Sequence, residues 1–335
     1  MSDSVPGEPS LGFSLRGVGT VAAHEFRLRI RAGRWRWLLG GWFGALLAFT
    51  AALRAGMDRA GQASPGSDMF GGLVLVMMAL ALLVVPALTA QSINGDRERG
   101  VLATLQTTLL TPAEIALGKL AAAWGAALIF IVAALPIVLW CVIEGATLRR
   151  AFVALLVMAL LFGVVCAIAQ CLSSLLARST TSAVLSYLTV FALTVGTVIV
   201  FAMTVTLSRP VDAEAGDSTV VDADAYPSGA WMLIAPNPFV IVADAAPRSS
   251  ERDAAQAADA ESVRLDTLST IAEAVRSLRS TDVVLADGTT TRTSQDAVWP
   301  FGLIANLLLG AGAVALTSHR LKTPAANLPR LVRVA

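Results

Sequence analysis

Asp96-Arg97-Glu98-Arg99-Gly100-Val101-Leu102-Ala103-Thr104-Leu105-Gln106-Thr107-Thr108-Leu109-Leu110-Thr111-Pro112-Ala113-Glu114-Ile115-Ala116-Leu117-Gly118-Lys119 lies between two long apolar runs. It is therefore expected to be a surface segment held close to a membrane by its flanks. Asn94-Gly95 is expected to break the preceding helix, and Asp96 to cap a new one by accepting hydrogen bonds from free backbone N–H groups. Val101, Leu105 and Leu109 recur every fourth residue with Leu102 beside them, whereas Arg99, Ala103 and Gln106 fall on another face. That is one apolar stripe on a short helix. Thr111 is a good N-cap, Pro112 sits at the first helical position where no N–H is missed, and Glu114 is placed to complete a capping box. The stretch reads as a short amphipathic helix, a sharp turn and the capped start of a membrane span. An ordinary interfacial loop fits the same pattern.

Outward from this stretch the chain is apolar in both directions. Spans are expected over residues 38–53, 69–91, 120–143, 151–176, 182–207 and 299–317, six in all, against about 20 residues needed to cross a bilayer. Gly40 and Gly44 in the first span form one GxxxG, a hint of close helix packing. Pro86 and Pro136 are expected kinks. The polar residues within the spans include Thr89, Gln91, Gln170, Ser173, Ser174, Ser186, Tyr187, Thr194 and Asn306. Most read as interhelical hydrogen bonds, with Gln170 or Asn306 alternatively lining a pathway. No Asp, Glu, Lys, Arg or His is assigned to a span interior, which disfavours proton or sodium coupling through an intramembrane ionisable group.

Charge sets the orientation. With the N-terminus inside, the short inner segments carry fourteen Arg and Lys and the short outer loops four, so both termini and the Asp96–Lys119 stretch are expected to face the cytoplasm. Residues 208–298 are then extracytoplasmic. They hold 7 basic and 15 acidic residues, a net charge of −8. Within them, 231–246 is apolar but short and broken by Pro236 and Pro238, as expected of a run that dips into a leaflet rather than crossing it. Residues 251–279 read as an Ala-rich helix with Leu268, Ile271, Val275 and Leu278 as a seam. Val283-Val284-Leu285, Asp287-Gly288 and the following threonines read as a small hairpin.

The expected organisation is a cytoplasmic N-terminus over 1–37, spans over 38–207 with the central segment 92–119, an acidic outer loop over 208–298, a last span over 299–317 and a basic tail over 318–335. Segment 15–37 interleaves Arg27, Arg29 and Arg31 with Phe26, Leu28, Ile30 and Trp35, a pattern suited to cytoplasmic lipid headgroups. It also serves simply to set topology.

Composition agrees with a membrane protein: 56% of residues are hydrophobic, 15% are charged and mean hydropathy is +0.69, against roughly 25% charged in soluble domains. Net charge is +1, so no basic field argues for nucleic acid. The three cysteines all fall in apolar runs and the two histidines lie near opposite ends of the chain. Metal binding and a disulfide framework are not expected. A signal peptide is not expected either.

Glu98-Arg99-Gly100, Leu102, Thr107-Thr108, Pro112, Glu114 and Gly118-Lys119 resemble the pattern of ABC-2 type transporter permeases, in the loop between their second and third spans. Val101 stands where the family commonly has Thr and Leu109 where it often has Pro. Lys119 is one of only two lysines in the chain. The resemblance implies an all-α polytopic membrane protein of six transmembrane helices. It adds an N-terminal interfacial helix carrying Glu25, a cytoplasmic coupling helix between spans 2 and 3, and, before the last span, a Pro236-Asn237-Pro238-Phe239 motif like one found in the family. It also implies that Asp96, Glu98, Arg99, Gly100, Val101, Leu102, Leu105, Pro112, Glu114 and Lys119 form a surface coupled to a separate ATP-binding cassette subunit, with ATP and magnesium on that partner and none on this chain. A second permease subunit, identical or not, and membrane lipid complete the expected partners, in a bacterial cell membrane.

No G-x-x-x-x-G-K-[ST] motif is present, and Gly118-Lys119 lacks the upstream glycine; no ATPase site of its own is expected, and the chain is not expected to be an enzyme. An alternative is a membrane-anchored sensor or assembly protein acting through its outer loop.

Overall fold

Among the described residues, six helices are long and apolar enough to cross a membrane. The structure, a computed structural model, describes residues 13–31, 33–61, 65–98, 100, 111–208, 229–246, 267–279, 282–284, 290–292 and 296–322. Helix α1 (Leu15–Arg31) precedes the first long helix, α2 (Arg34–Arg59). Then come α3 (Gly66–Thr89), the single turn α4 (Asn94–Glu98), α5 (Pro112–Ile143) and α6 (Leu148–Leu175). The fifth long helix is composite: α7 (Ser179–Phe191), a π-helical turn (Ala192–Gly196) and α8 (Thr197–Leu207). After it lie the short α9 (Trp231–Ile234) and α10 (Pro238–Ala245), then α11 (Thr267–Ser277), a two-stranded hairpin of β1 (Asp282–Val284) and β2 (Thr290–Arg292), and the last long helix, α12 (Trp299–Leu321). The hairpin expected there is present, with Val283 paired with Thr291.

The core lies between α3, α5 and α6, with Phe70, Met77, Phe130, Met158 and Phe162 fully buried. Two indoles bring polar atoms into it and both are satisfied. Trp42 Nε1 donates to the Phe130 carbonyl at 3.0 Å and Trp124 Nε1 to that of Ala159 at 2.8 Å. Trp42 and Trp35 both meet the Phe130 ring edge-on, at 5.0 and 5.5 Å between centroids. By contrast α2 and α7–α8 turn most of their side chains outward. A Cβ added to Gly40 or Gly44 would meet no neighbouring element within 4 Å among the described residues, so the GxxxG makes no close helix contact there.

The helices meet at two ends. At one, Gly66 N–H donates to the Glu144 carbonyl at 3.2 Å, and Arg54 pairs with Glu144 at 3.3 Å. At the other, Ile93, Ile115, Ala116 and Leu321 form a small apolar cluster. Two expectations about helix ends are corrected. Asp68 and Arg150 were expected in connecting loops, but α3 and α6 begin early enough to take both into their first turns, where they are 6% and 1% exposed. The break after the second span falls at residues 90–93 rather than at Asn94-Gly95, which lie inside α4.

The elements between α8 and α12 are tied to the long helices. Of the helix expected over 251–279, the described part is α11, whose Leu268 and Val275 are buried against neighbouring apolar residues; residues 251–266 lie outside the described residues. Gly302, in the first turns of α12, touches the Ala235 backbone so closely that any Cβ would collide with its carbonyl oxygen.

Candidate functional site

Helix α5 has 32 residues, about 48 Å at 1.5 Å per residue, whereas the hydrocarbon layer is about 30 Å thick. Its length leaves more than one turn for other work, and its first turns carry the site. Thr111 caps it: its Oγ1 accepts from Glu114 N–H at 3.3 Å, and Glu114 Oε2 accepts from Thr111 N–H at 2.6 Å. With Pro112 at the first helical position this is the capping box expected from the sequence. The same carboxylate does more, since Glu114 Oε1 accepts from Ser14 N–H at 2.6 Å and so holds the start of α1.

From there α1 runs along α5 in the same direction. Ser14 meets Glu114, Val18 and Val21 meet Gly118, and Phe26 meets Gly125. Gly118 permits this approach: a Cβ there would lie 2.6 Å from Val21 Cβ. The basic helix is thus bound to protein along one face, while Arg16, Arg27, Leu28 and Arg31 remain exposed on the other.

Lys119 sits where α1, α4 and α5 converge. It is 1% exposed, and its Nζ donates to both Glu25 of α1 and Asp96 of α4. A lone buried ammonium would be strongly destabilising, whereas two carboxylates within hydrogen-bonding reach satisfy it. Asp96 was expected to cap a helix running on from it through Leu109, most of which lies outside the described residues; Asp96 itself lies inside α4, and its carboxylate goes to Lys119. The cap of α4 comes from α6, where Ser173 Oγ accepts from the N–H groups of Ile93 and Asn94, each at 3.1 Å.

Arg29, one turn after Glu25, is part of the same cluster. Burial pulls its guanidinium below the ordinary arginine value, and the neighbouring Glu25 and Asp96 charges pull the other way. Around the cluster, Gln170 Nε2 donates to the Ala116 carbonyl at 2.8 Å, and Ser182 Oγ to that of Ala90 at 2.8 Å. Glu98 is exposed, and one of its oxygens accepts from Ser179 N–H at 3.4 Å, at the start of α7. Gly100 N–H donates to the Arg97 carbonyl at 3.2 Å and closes the turn. Arg99, Val101, Leu102 and Leu105 lie outside the described residues.

A second constellation surrounds Pro236-Asn237-Pro238-Phe239. Asn237 caps α10 by accepting from Phe239 N–H at 2.9 Å, and Pro238 takes the first helical position. The same amide donates to the Thr194 carbonyl at 2.6 Å and to Thr197 Oγ1 at 2.9 Å. Thr194 lies within the π-helical turn, whose widened bonding frees carbonyls for outside partners. Asn306 of α12 donates to the Pro236 carbonyl at 2.9 Å. The motif is thereby tied to two long helices by amide side chains.

Sequence reasoning missed Asp244. It is 1% exposed, one oxygen accepts from the N–H groups of Val298 and Trp299 at 2.7 Å each, and the other pairs with Arg276 of α11. It caps α12 from a distance in sequence. The available signal was a single carboxylate in an otherwise apolar run. Arg279, also not singled out, stacks its guanidinium 5.1 and 5.0 Å from the Trp231 and Phe301 ring centres.

No group of His, Cys, Asp and Glu suited to hold a metal ion occurs among the described residues. No protein-family model matches the chain, and no curated protein matches it. The site therefore rests on its own residues. It is a charged junction that joins three helices at one end of an apolar bundle.

Proposed function

We propose that the chain is the permease subunit of an ABC exporter, working with a separate ATP-binding subunit. The observation that carries this reading is the Glu25–Lys119–Asp96 junction. It links the helix ahead of the first span, the turn after the second and the start of the third, the three elements through which a push at one end would reach the bundle. ATP-driven closure of two motor subunits would press on the segment after α4, and rigid-body tilting of α3 and α5 would follow. Exposed Glu98 and the residues that follow it make the contact with the motor in this proposal. The apolar, largely uncharged bundle favours an amphipathic or hydrophobic cargo. Six spans are few for an enclosed pathway, so a second permease subunit is part of the reading, and the outward-turned α2 and α7–α8 leave surface for it.

Co-purification in mild detergent tests it, comparing wild type with the pair Glu98→Ala, Arg99→Ala. A nucleotide-binding protein should accompany the wild type and be lost or uncoupled in the variant. If no ATPase associates and the variant behaves as wild type, the proposal fails and the outer segment around α11 becomes the place to look, as for a sensor or assembly protein.

A further inference from the structure

The end of the bundle that holds Lys119 contains a group of buried polar atoms with no hydrogen-bond partner among the described residues: both amide atoms of Asn94, Gln170 Oε1, Ser92 Oγ and Arg29 Nη1. Asn94 is 0% and Gln170 3% exposed. A chain of contacts links the residues that carry them. Asn94 N–H donates to Ser173 Oγ, one turn from Gln170 on α6, and Gln170 Nε2 reaches Ala116 on α5. Three residues on, Lys119 meets Glu25, one turn before Arg29. Ser92 follows Thr89, whose hydroxyl lies 3.6 Å from Cys166 Sγ.

Folded proteins satisfy nearly all such atoms, with protein or with water. The guest this group would take follows from its chemistry. The two amide oxygens accept, the Asn94 NH2 and the guanidinium donate, and the Ser92 hydroxyl does both. The charges of Arg29 and Lys119 are balanced by Glu25 and Asp96, so neither an anion nor a cation is selected. A small neutral molecule that donates and accepts fits, and water is that molecule.

We propose that Asn94, Gln170, Ser92 and Arg29 line an internal hydration site shared with the Lys119 junction. Bound water there supplies the missing hydrogen bonds and lets Glu25 and Asp96 change partners without leaving a bare charge in an apolar interior. The inference stands independently of the proposed transport function, because it is tested on the isolated chain.

Radiolytic hydroxyl-radical labelling in isotopically heavy water, read by mass spectrometry, compares two cysteines that are both 0% exposed: Cys166, beside the site, and Cys141, in the last turn of α5 at the opposite end of the bundle. Labelling of Cys166 several-fold faster than Cys141 is expected; equal, slow labelling of both would overturn the proposal. A second measurement uses melting in detergent. In a hydrated site Asn94→Ala, which leaves room for another water, melts above Asn94→Leu. In a dry one the order reverses, because the leucine fills the space and the alanine leaves a cavity.

Discussion

Lys119 concentrates the energetics of this chain in one side chain. Its ammonium is buried and bonded to carboxylates on two other helices. Removing the cation leaves Glu25 and Asp96 close together with Arg29 as their one remaining counter-charge among the described residues, and breaking a buried pair in this way costs about 3–5 kcal/mol. Lys119→Met should therefore lower the unfolding midpoint markedly in detergent. Adding Asp96→Asn to it should recover much of the loss, since Glu25 and Arg29 then remain as a balanced pair. If Lys119→Met melts like wild type, the junction contributes nothing to stability. Asp244 follows the same logic with a different partner set: two backbone N–H groups and Arg276 share one carboxylate.

At the scale of elements, the fold depends on a few close approaches between backbones. Helix α12 lies against Ala235 at Gly302, where a side chain has no room. Gly302→Ala must push backbone apart, and overpacking of this kind costs about 1–3 kcal/mol. Gly312 on the same helix has nothing within 4 Å of a Cβ, so Gly312→Ala is the control and should be neutral or slightly stabilising, because alanine is the better helix former. Equal melting of the two variants would show that the Ala235 contact yields easily. The same element, α9–α10, is held on its other side by Asn237 at the π-helical turn. A short segment without a full helical span thus obtains its order from two long neighbours.

At the scale of the whole molecule, six long helices return the chain to the end from which it set out, so α1 and the end of α12 share a side. The excess of Arg and Lys at that end predicts that it faces the cytoplasm. Single cysteines placed at exposed positions test this, with the three native cysteines buried and quiet. Thr20→Cys and His319→Cys should react with an impermeant maleimide only after the cells are permeabilised, and Thr147→Cys and Glu273→Cys in intact cells. The reverse pattern would invert the orientation and place the Lys119 junction outside.

The sequence by itself determined what local rules govern. Long apolar runs dictate membrane-length helices, since an apolar stretch of that length has few other stable states. Thr111, Pro112 and Glu114 dictate a capped helix start because the bonds of the capping box itself lie within one turn. The seam of Leu268, Ile271, Val275 and Leu278 and the hairpin are legible for the same reason. Tertiary structure alone decided which distant groups meet. Nothing within a turn of Asp96 shows that its partner is Lys119, or that Ser173 on another helix caps α4. Nor does a lone Asp244 reveal that it caps a helix that starts at Trp299. A buried polar group must find a partner, but the sequence states only the need, and the packing of helices far apart in the chain chooses the partner.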